Sequence, residues 1–534
     1  MARRSPIAYS LLLTVSQALW VLPAVPSASA QVPLPPNFIS PNVPHDVPTG
    51  SGASIQDLAI FAWREFIALN WVAMDPTATG VRGRPNGTDP IAGFVSIHRD
   101  PATGSFPLLV WHTYRHKNEL FPYYKNAQTD PNFDSKLPTY VYDPAPTVPQ
   151  GTNFQLFNNL DETSEIGVCT MFAHNTTRII YEAKVSRAAF DYANKNQLTN
   201  HDVNGNYPTL TAAKAYTAGN LAQYGGICST DPSIVSLPCG DNTVAGDPGE
   251  GAIEIKAAWR ELTVAEANSQ PPRFLTQNII YYTTGPSNTQ VVNNAIYGLV
   301  ALHIIHKTKS FPTFVFASWE QIDNYDDGTN QNTEGLAFNN IGYPTFPIPP
   351  FSNYPNNPPP PNSPPFPLTR NHAIHSSIPP VNSAVHTAFT SIDPNTVWQY
   401  YKLIGVQGTP VNGPPSRTAQ PDDLSYYYLS NIVVETNQTL QNFAGSLPLI
   451  TATPFLNVYV NGASGSPFQM GGCQGCHGAA GQSNGGDMSV LIGFGPSNAA
   501  SPEAIDADAA AAARSYAVRS YGLVRARSLG LIPQ

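Results

Sequence analysis

Between residues 54 and 74 (SIQDLAIFAWREFIALNWVAM), Leu58, Phe61, Phe66 and Leu69 recur at helical spacing. Ser54 stands where the first turn needs a cap, so the pattern predicts a helix here. From about Ile91 to Glu320 the texture changes to short β-type runs between Pro, Asn and Gly turns. These runs are Phe94–His98, Leu108–Tyr114, Ile253–Trp259, Ile279–Thr284, Leu299–His306 and Phe314–Trp319. In the third, Ile253, Ile255, Ala257 and Trp259 alternate with Glu254, Lys256 and Ala258, which predicts a strand with one buried face. Residues 326–367 carry no period and end in PIPPFSNYPNNPPPPNSPPFP, a polyproline-type linker or a strap on the surface. Beyond it, Asn395–Leu403 and Tyr426–Phe443 are predicted helices, and Ser501-Pro502-Glu503 opens an Ala-rich one. The fold class is therefore α+β. A β-rich region over 31–344 and a Pro-rich linker or strap over 345–367 precede a mainly helical region over 368–534.

The first 30 residues stand apart. Arg3-Arg4 precedes an apolar run from Ile7 to about Val25, and Ser27-Ala28-Ser29-Ala30 suits cleavage before Gln31. Pro23, Pro26, Ser16 and Gln17 break the run, so it reads as a signal peptide rather than an anchor. No later stretch approaches the roughly 20 apolar residues of a membrane span. The expected location is the periplasm. The formal charge is −9, and two of the positive charges, Arg3 and Arg4, lie in the leader. Such a balance argues against nucleic acid and favours a positively charged partner.

Export changes the meaning of the five cysteines. Cys228 and Cys239 flank a Pro/Ser/Asp loop, where a disulfide suits an oxidising compartment; Cys169 would then be an unpaired thiol. The other two sit in Gly471-Gly472-Cys473-Gln474-Gly475-Cys476-His477-Gly478. CxxCH is the attachment motif of haem c: Cys473 and Cys476 add across the two vinyl groups, and the adjacent His477 reaches the iron as its proximal ligand. A zinc site needs a second ligand pair, and the sequence offers no other CxxC or CxxH nearby.

The sixth iron ligand is open between two residues. Met488 lies eleven positions after His477, at the start of an apolar run that also suits a core role. His303 lies in Gly298–Thr308 (GLVALHIIHKT), a strand pattern in which His303 and His306 fall on opposite faces, so one iron cannot take both. His372 and His375 lack a third metal ligand nearby, and Asp323, Asp326 and Asp327 read as a polar turn as readily as a calcium site. Glu254 and Lys256, at alternate positions of a strand's open face, read as a solvated charge pair. No nucleophile–base constellation or phosphate-cradling loop stands out.

FAWREFIALNW (61–71), EIKAAWREL (254–262), GLVALHIIHKT (298–308), FVFASWEQIDN (314–324) and NIVVETNQT (431–439) ahead of the CxxCH carry a wider resemblance. Over most of its mature length the chain is similar to large, exported bacterial proteins described as cytochrome c family proteins. It departs from them at Glu320-Gln321, where they carry Phe-His, and at Met488, where they carry an aromatic residue. With the CxxCH in the helical part, a cytochrome c-like haem region is expected at the C-terminal end, and the resemblance favours His303 as the distal residue. The haem motif, rather than the resemblance, carries two activities as expectations, beside a blander one in which the haem is structural in a sensor or binding protein. One is one-electron transfer with a redox partner protein or a small electron donor or acceptor. The other is haem-dependent peroxidase or oxygenase chemistry at an open distal position.

Overall fold

The computed structural model describes residues 32–101, 105–121, 129–135, 179–245, 247–284, 290–324, 374–410, 429, 431, 457–462, 468–469 and 472–495. The leader, Cys169, His372, the Pro-rich segment, most of Tyr426–Phe443 and the Ala-rich run after Ser501 lie outside them.

A mixed α+β fold is built on one mostly antiparallel sheet. Its strands are β1 (Arg115–His116), β2 (Ile179–Val185), β3 (Ile253–Glu261), β4 (Thr276–Thr284), β5 (Gln290–His306), β6 (Val315–Gln321) and β7 (Tyr401–Gln407). The order is β1-β2-β3-β5-β6-β7, with β4 paired to β5 alone. Named in chain order, the helices that matter to the site are α1 (Ile55–Leu69), α2 (Pro208–Gly219), α3 (Ile378–Ile392), α4 (Gly472–Ala480) and α5 (Val490–Phe494).

The helix predicted from residue 54 forms as α1. The Ser54 hydroxyl accepts from the Asp57 amide while the Asp57 carboxylate accepts from the Ser54 amide, a capping box that satisfies two otherwise orphaned donors. The strands expected around residues 253–259, 279–284, 299–306 and 314–319 also form. Two others do not. The run at 94–98 instead follows a single π-type turn, Ile91–Val95, and Trp111–Thr113 is a short 3-10 turn. Both supply large rings, Phe94 and Trp111, to the core rather than backbone to a sheet.

One helix expected in 368–534 needs correction. Where a helix is predicted over 395–403, Val397–Tyr400 is one 3-10 turn and β7 follows, paired with β6. Sheet pairing across about 80 residues of sequence overrides a weak local pattern. A cytochrome c-like helical region is not evident in the described part of the C-terminal segment; its described helices are α3, α4 and α5.

From Tyr297 to His306, β5 is covered on both sides. One face of the sheet carries Ile253, Leu302, Ile304, His306 and Trp319 against α1 and α3. There the Trp63 indole donates to Asn382 Oδ1 (2.9 Å), and Asn382 Nδ2 donates to the Leu403 carbonyl (2.9 Å), so one buried amide binds α1, α3 and β7 together. On this face His306 lies between the Glu65 carboxyl and the Glu250 carbonyl, with Phe61 stacked on it at 5.8 Å. A carbonyl only accepts, so His306 Nε2 carries a hydrogen, and the Nδ1–Glu65 contact holds one further proton between two buried groups. Cys228 and Cys239 form a disulfide, with their Cα atoms 5.7 Å apart. Among the described residues no helix is long and apolar enough to cross a membrane.

Asn382→Ala would leave the Trp63 N–H and the Leu403 carbonyl buried without that partner. Unfolding by denaturant should show a loss of about 2–4 kcal/mol. A loss below about 1 kcal/mol would mean that the three elements are held by packing alone.

Candidate functional site

The second face of the sheet is where the chemistry gathers. Strand register aligns Ala183, Lys256, His303, Ser318 and Gly405 in one row, and Val185, Glu254, Ile305, Phe316 and Gln407 in the next. Side chains alternate along each strand, so both rows point the same way, and His306 points to the other side. A bulge between Ser318 and Trp319 interrupts β6 beside His303's partner. Bulges re-aim side chains and are common next to functional sites.

Segment 472–495 lies over this face. Helix α4 places positions 473 and 476 one turn apart, with His477 next in line. Gln474, between the cysteines, is fully buried and acts as the anchor. Its backbone amide donates to Gln407 Oε1 (3.0 Å), and its side-chain amide lies 3.2 Å from the carbonyls of Thr313, Phe314 and Gly408. Cys473 is buried and outside any disulfide, its sulfur 3.5 Å from the Leu429 carbonyl.

His477 is held edge-on against Phe316, ring centroids 4.7 Å apart. Its Nδ1 lies 2.7 Å from the Met488 carbonyl. That oxygen can only accept, so Nδ1 carries the hydrogen and the lone pair is on Nε2. Gly481 makes this approach possible, because a Cβ there would lie 2.8 Å from the Met488 carbonyl carbon. Burial, with a smaller contribution from the Lys256 charge, lowers the His477 pKa to about 4 despite the Met488 bond. At neutral pH the imidazole is therefore uncharged, the form that binds metals.

His303 comes into the electrostatic neighbourhood of His477. Burial, then Lys256, then His477 lower its pKa to about 3. Both imidazoles thus share one face of the sheet and one cationic neighbour. Met488 has its side chain wholly buried in the core and its main chain engaged by His477 Nδ1. His375 accepts from the Ser377 amide at the start of α3, and Asp323 is paired with Arg273 at 2.6 Å. Asp326 and Asp327 lie outside the described residues.

Glu254 and Lys256 are not a solvated pair. The alternation predicts an open face, but segment 472–495 covers it and Glu254 is buried. Its carboxyl bonds to the Ser489 side chain, and burial together with nearby Asp487 raises its pKa to about 7. Lys307, at the end of β5, reaches Asp487 in a buried ion pair. Burial pushes Asp487 up and Lys307 down, each opposed by the other's charge. Sequence reasoning missed Gln474, Lys307 and Asp487. The one available signal was polarity: a Gln inside the Cys-x-x-Cys and an Asp in a Gly-rich stretch need partners once buried.

Among the described residues no group of three or more His, Cys, Asp or Glu side chains is placed to hold a metal ion. What the face offers is two neutral imidazoles, a buried thiol and a helix turn carrying a second cysteine. Compared with protein-family models, curated proteins and solved structures, the chain matches none.

Glu254 gives this site a pH signature. Its folded pKa lies above the ordinary 4.5. The folded state therefore binds more protons than the unfolded one between those values, and stability falls as pH rises from about 4.5 to about 7. Glu254→Gln should remove that component. The variant's advantage in unfolding free energy should grow across this window to at most about 3 kcal/mol. A difference between the two proteins that is flat with pH would assign the titration elsewhere.

Proposed function

We propose that this chain is a periplasmic monohaem c-type cytochrome that transfers single electrons. Cys473 and Cys476 would hold the haem covalently, with His477 as the proximal ligand and His303 as the sixth. The observation that carries the reading is the hydrogen bond of His477 Nδ1–H to the Met488 carbonyl, which leaves Nε2 for iron. Iron-binding histidines characteristically donate their second nitrogen to such an acceptor.

The donor set fits the group. The cysteines lie one helical turn apart, Cys473 is buried and outside any disulfide, and His477 follows directly. His303 supports six-coordination because strand register sets it on the covered face near His477. Met488, the weaker sequence candidate for the sixth position, is committed to holding His477 through its main chain. The Cys228–Cys239 disulfide supports an oxidising compartment and, with it, export through the 1–30 leader. A cytochrome c-like C-terminal haem region becomes, on this reading, segment 472–495 seated on a sheet rather than a free-standing bundle.

Haem c, when bound, supplies an iron that moves between ferric and ferrous states by one electron. The chain's own part is to hold both imidazoles neutral, to exclude water with the buried sheet face, and to present Phe316 against His477. A redox partner protein or a small donor or acceptor would exchange that electron.

Optical spectra test the coordination. The wild-type protein should be low-spin and indifferent to carbon monoxide and cyanide, and His303→Ala should become high-spin and bind both. A wild-type haem that is already high-spin, binds these ligands and reacts quickly with peroxide would favour the peroxidase or oxygenase alternative. A low-spin His303→Ala would remove His303 from the iron, and Met488→Leu would then be the variant expected to change spin state.

A further inference from the structure

The Met488 carbonyl can orient His477 only if the backbone that carries it is itself fixed. The preceding residue, Asp487, is in the left-handed region at φ 60°, a conformation that a non-glycine residue adopts only when its surroundings hold it. They do so through its carboxylate. Asp487 Oδ2 accepts from the Leu237 amide (3.0 Å) and from the Lys307 ammonium. Lys307 is fully buried, donates also to Ser236 Oγ (3.2 Å), and lies over the Phe314 ring at 5.9 Å. Lys307 follows β5 directly, four residues beyond His303. The strand that presents His303 thus also reaches the turn behind His477.

We propose that Lys307 and Asp487 are positioning residues for His477: their ion pair sets the turn that aims the Met488 carbonyl at the Nδ1–H of the iron's proximal ligand. The inference rests on the haem reading above and deepens it. A buried ion pair is a poor source of net stability, because desolvation consumes most of the attraction, but it defines a geometry sharply. The carbonyl bond in turn increases the basicity of His477 and so favours the ferric state. Weakening the bond should raise the reduction potential.

The test uses the exported, haem-loaded protein and the double variant Lys307→Met/Asp487→Asn, which removes both charges together and leaves neither stranded. In the reduced, diamagnetic protein the His477 Nδ1 proton should be visible by NMR. Its exchange with solvent should be at least about tenfold faster in the variant, as expected when a hydrogen bond to a buried group is lost. The midpoint potential should rise by about 59 mV, a tenfold change in a one-electron equilibrium. If the double variant does not accumulate, Asp487→Asn alone, which keeps an acceptor for the Leu237 amide, carries the same two measurements. An exchange rate and a potential both equal to wild type in a haem-loaded variant overturn the proposal, even if the melting temperature falls, because a merely structural pair would lower only the latter. A wild-type protein without covalent haem overturns the haem reading itself, an outcome distinct from the first.

Discussion

Because both faces of β5 are covered from Tyr297 to His306, the polar side chains there must find partners inside the protein. An unpaired buried donor or acceptor costs about 1–3 kcal/mol, and an unpaired charge more. This constraint organises the molecule. His306 points toward α1 and is met by Glu65 and the Glu250 carbonyl. His303 points the other way, into the neighbourhood of Lys256 and His477. Lys307, just beyond the strand, is met by Asp487. The helical layer is tied to the sheet by the first contact, and segment 472–495 is tied to it by the third.

The two layers differ in kind. Between the sheet and its helical layer large rings interlock: Phe66 of α1 packs against Trp319 of β6 and against Trp398 in the turn before β7, with ring centroids 5.1 and 5.4 Å apart. Against segment 472–495 the sheet presents Glu254, Lys256, His303 and Phe316, a mixed surface of carboxyl, amine, imidazole and aromatic ring. Buried polar clusters of this composition tend to mark functional sites, because a core built for stability alone would be apolar.

Much of this was legible in the sequence, and the limits have physical reasons. The Ser54 cap and the spacing of Leu58, Phe61, Phe66 and Leu69 are local signals, and α1 follows from them. The two-residue period of a strand was enough to place His303 and His306 on opposite faces. The CxxCH spacing of Cys473, Cys476 and His477 is likewise a local pattern, visible without knowledge of the fold. Glu254 was misread because its cover arrives more than 200 residues later, and alternation within one strand cannot report what a distant segment does. The strand at Tyr401–Gln407 was misread for the same reason, since its partner is β6. The contacts of Lys307 with Asp487 and of Gln474 with Gln407 are likewise tertiary, and no spacing rule encodes them.

The central claim is covalent haem at Cys473 and Cys476, and intact mass under denaturing conditions tests it most directly. The exported protein, purified from a host competent to attach haem c, should carry the mass of one haem per chain after denaturation and acid–organic extraction. Cys473→Ser/Cys476→Ser should carry none. A wild-type chain whose mass is that of polypeptide alone, or whose haem is extracted with solvent, would contradict the account.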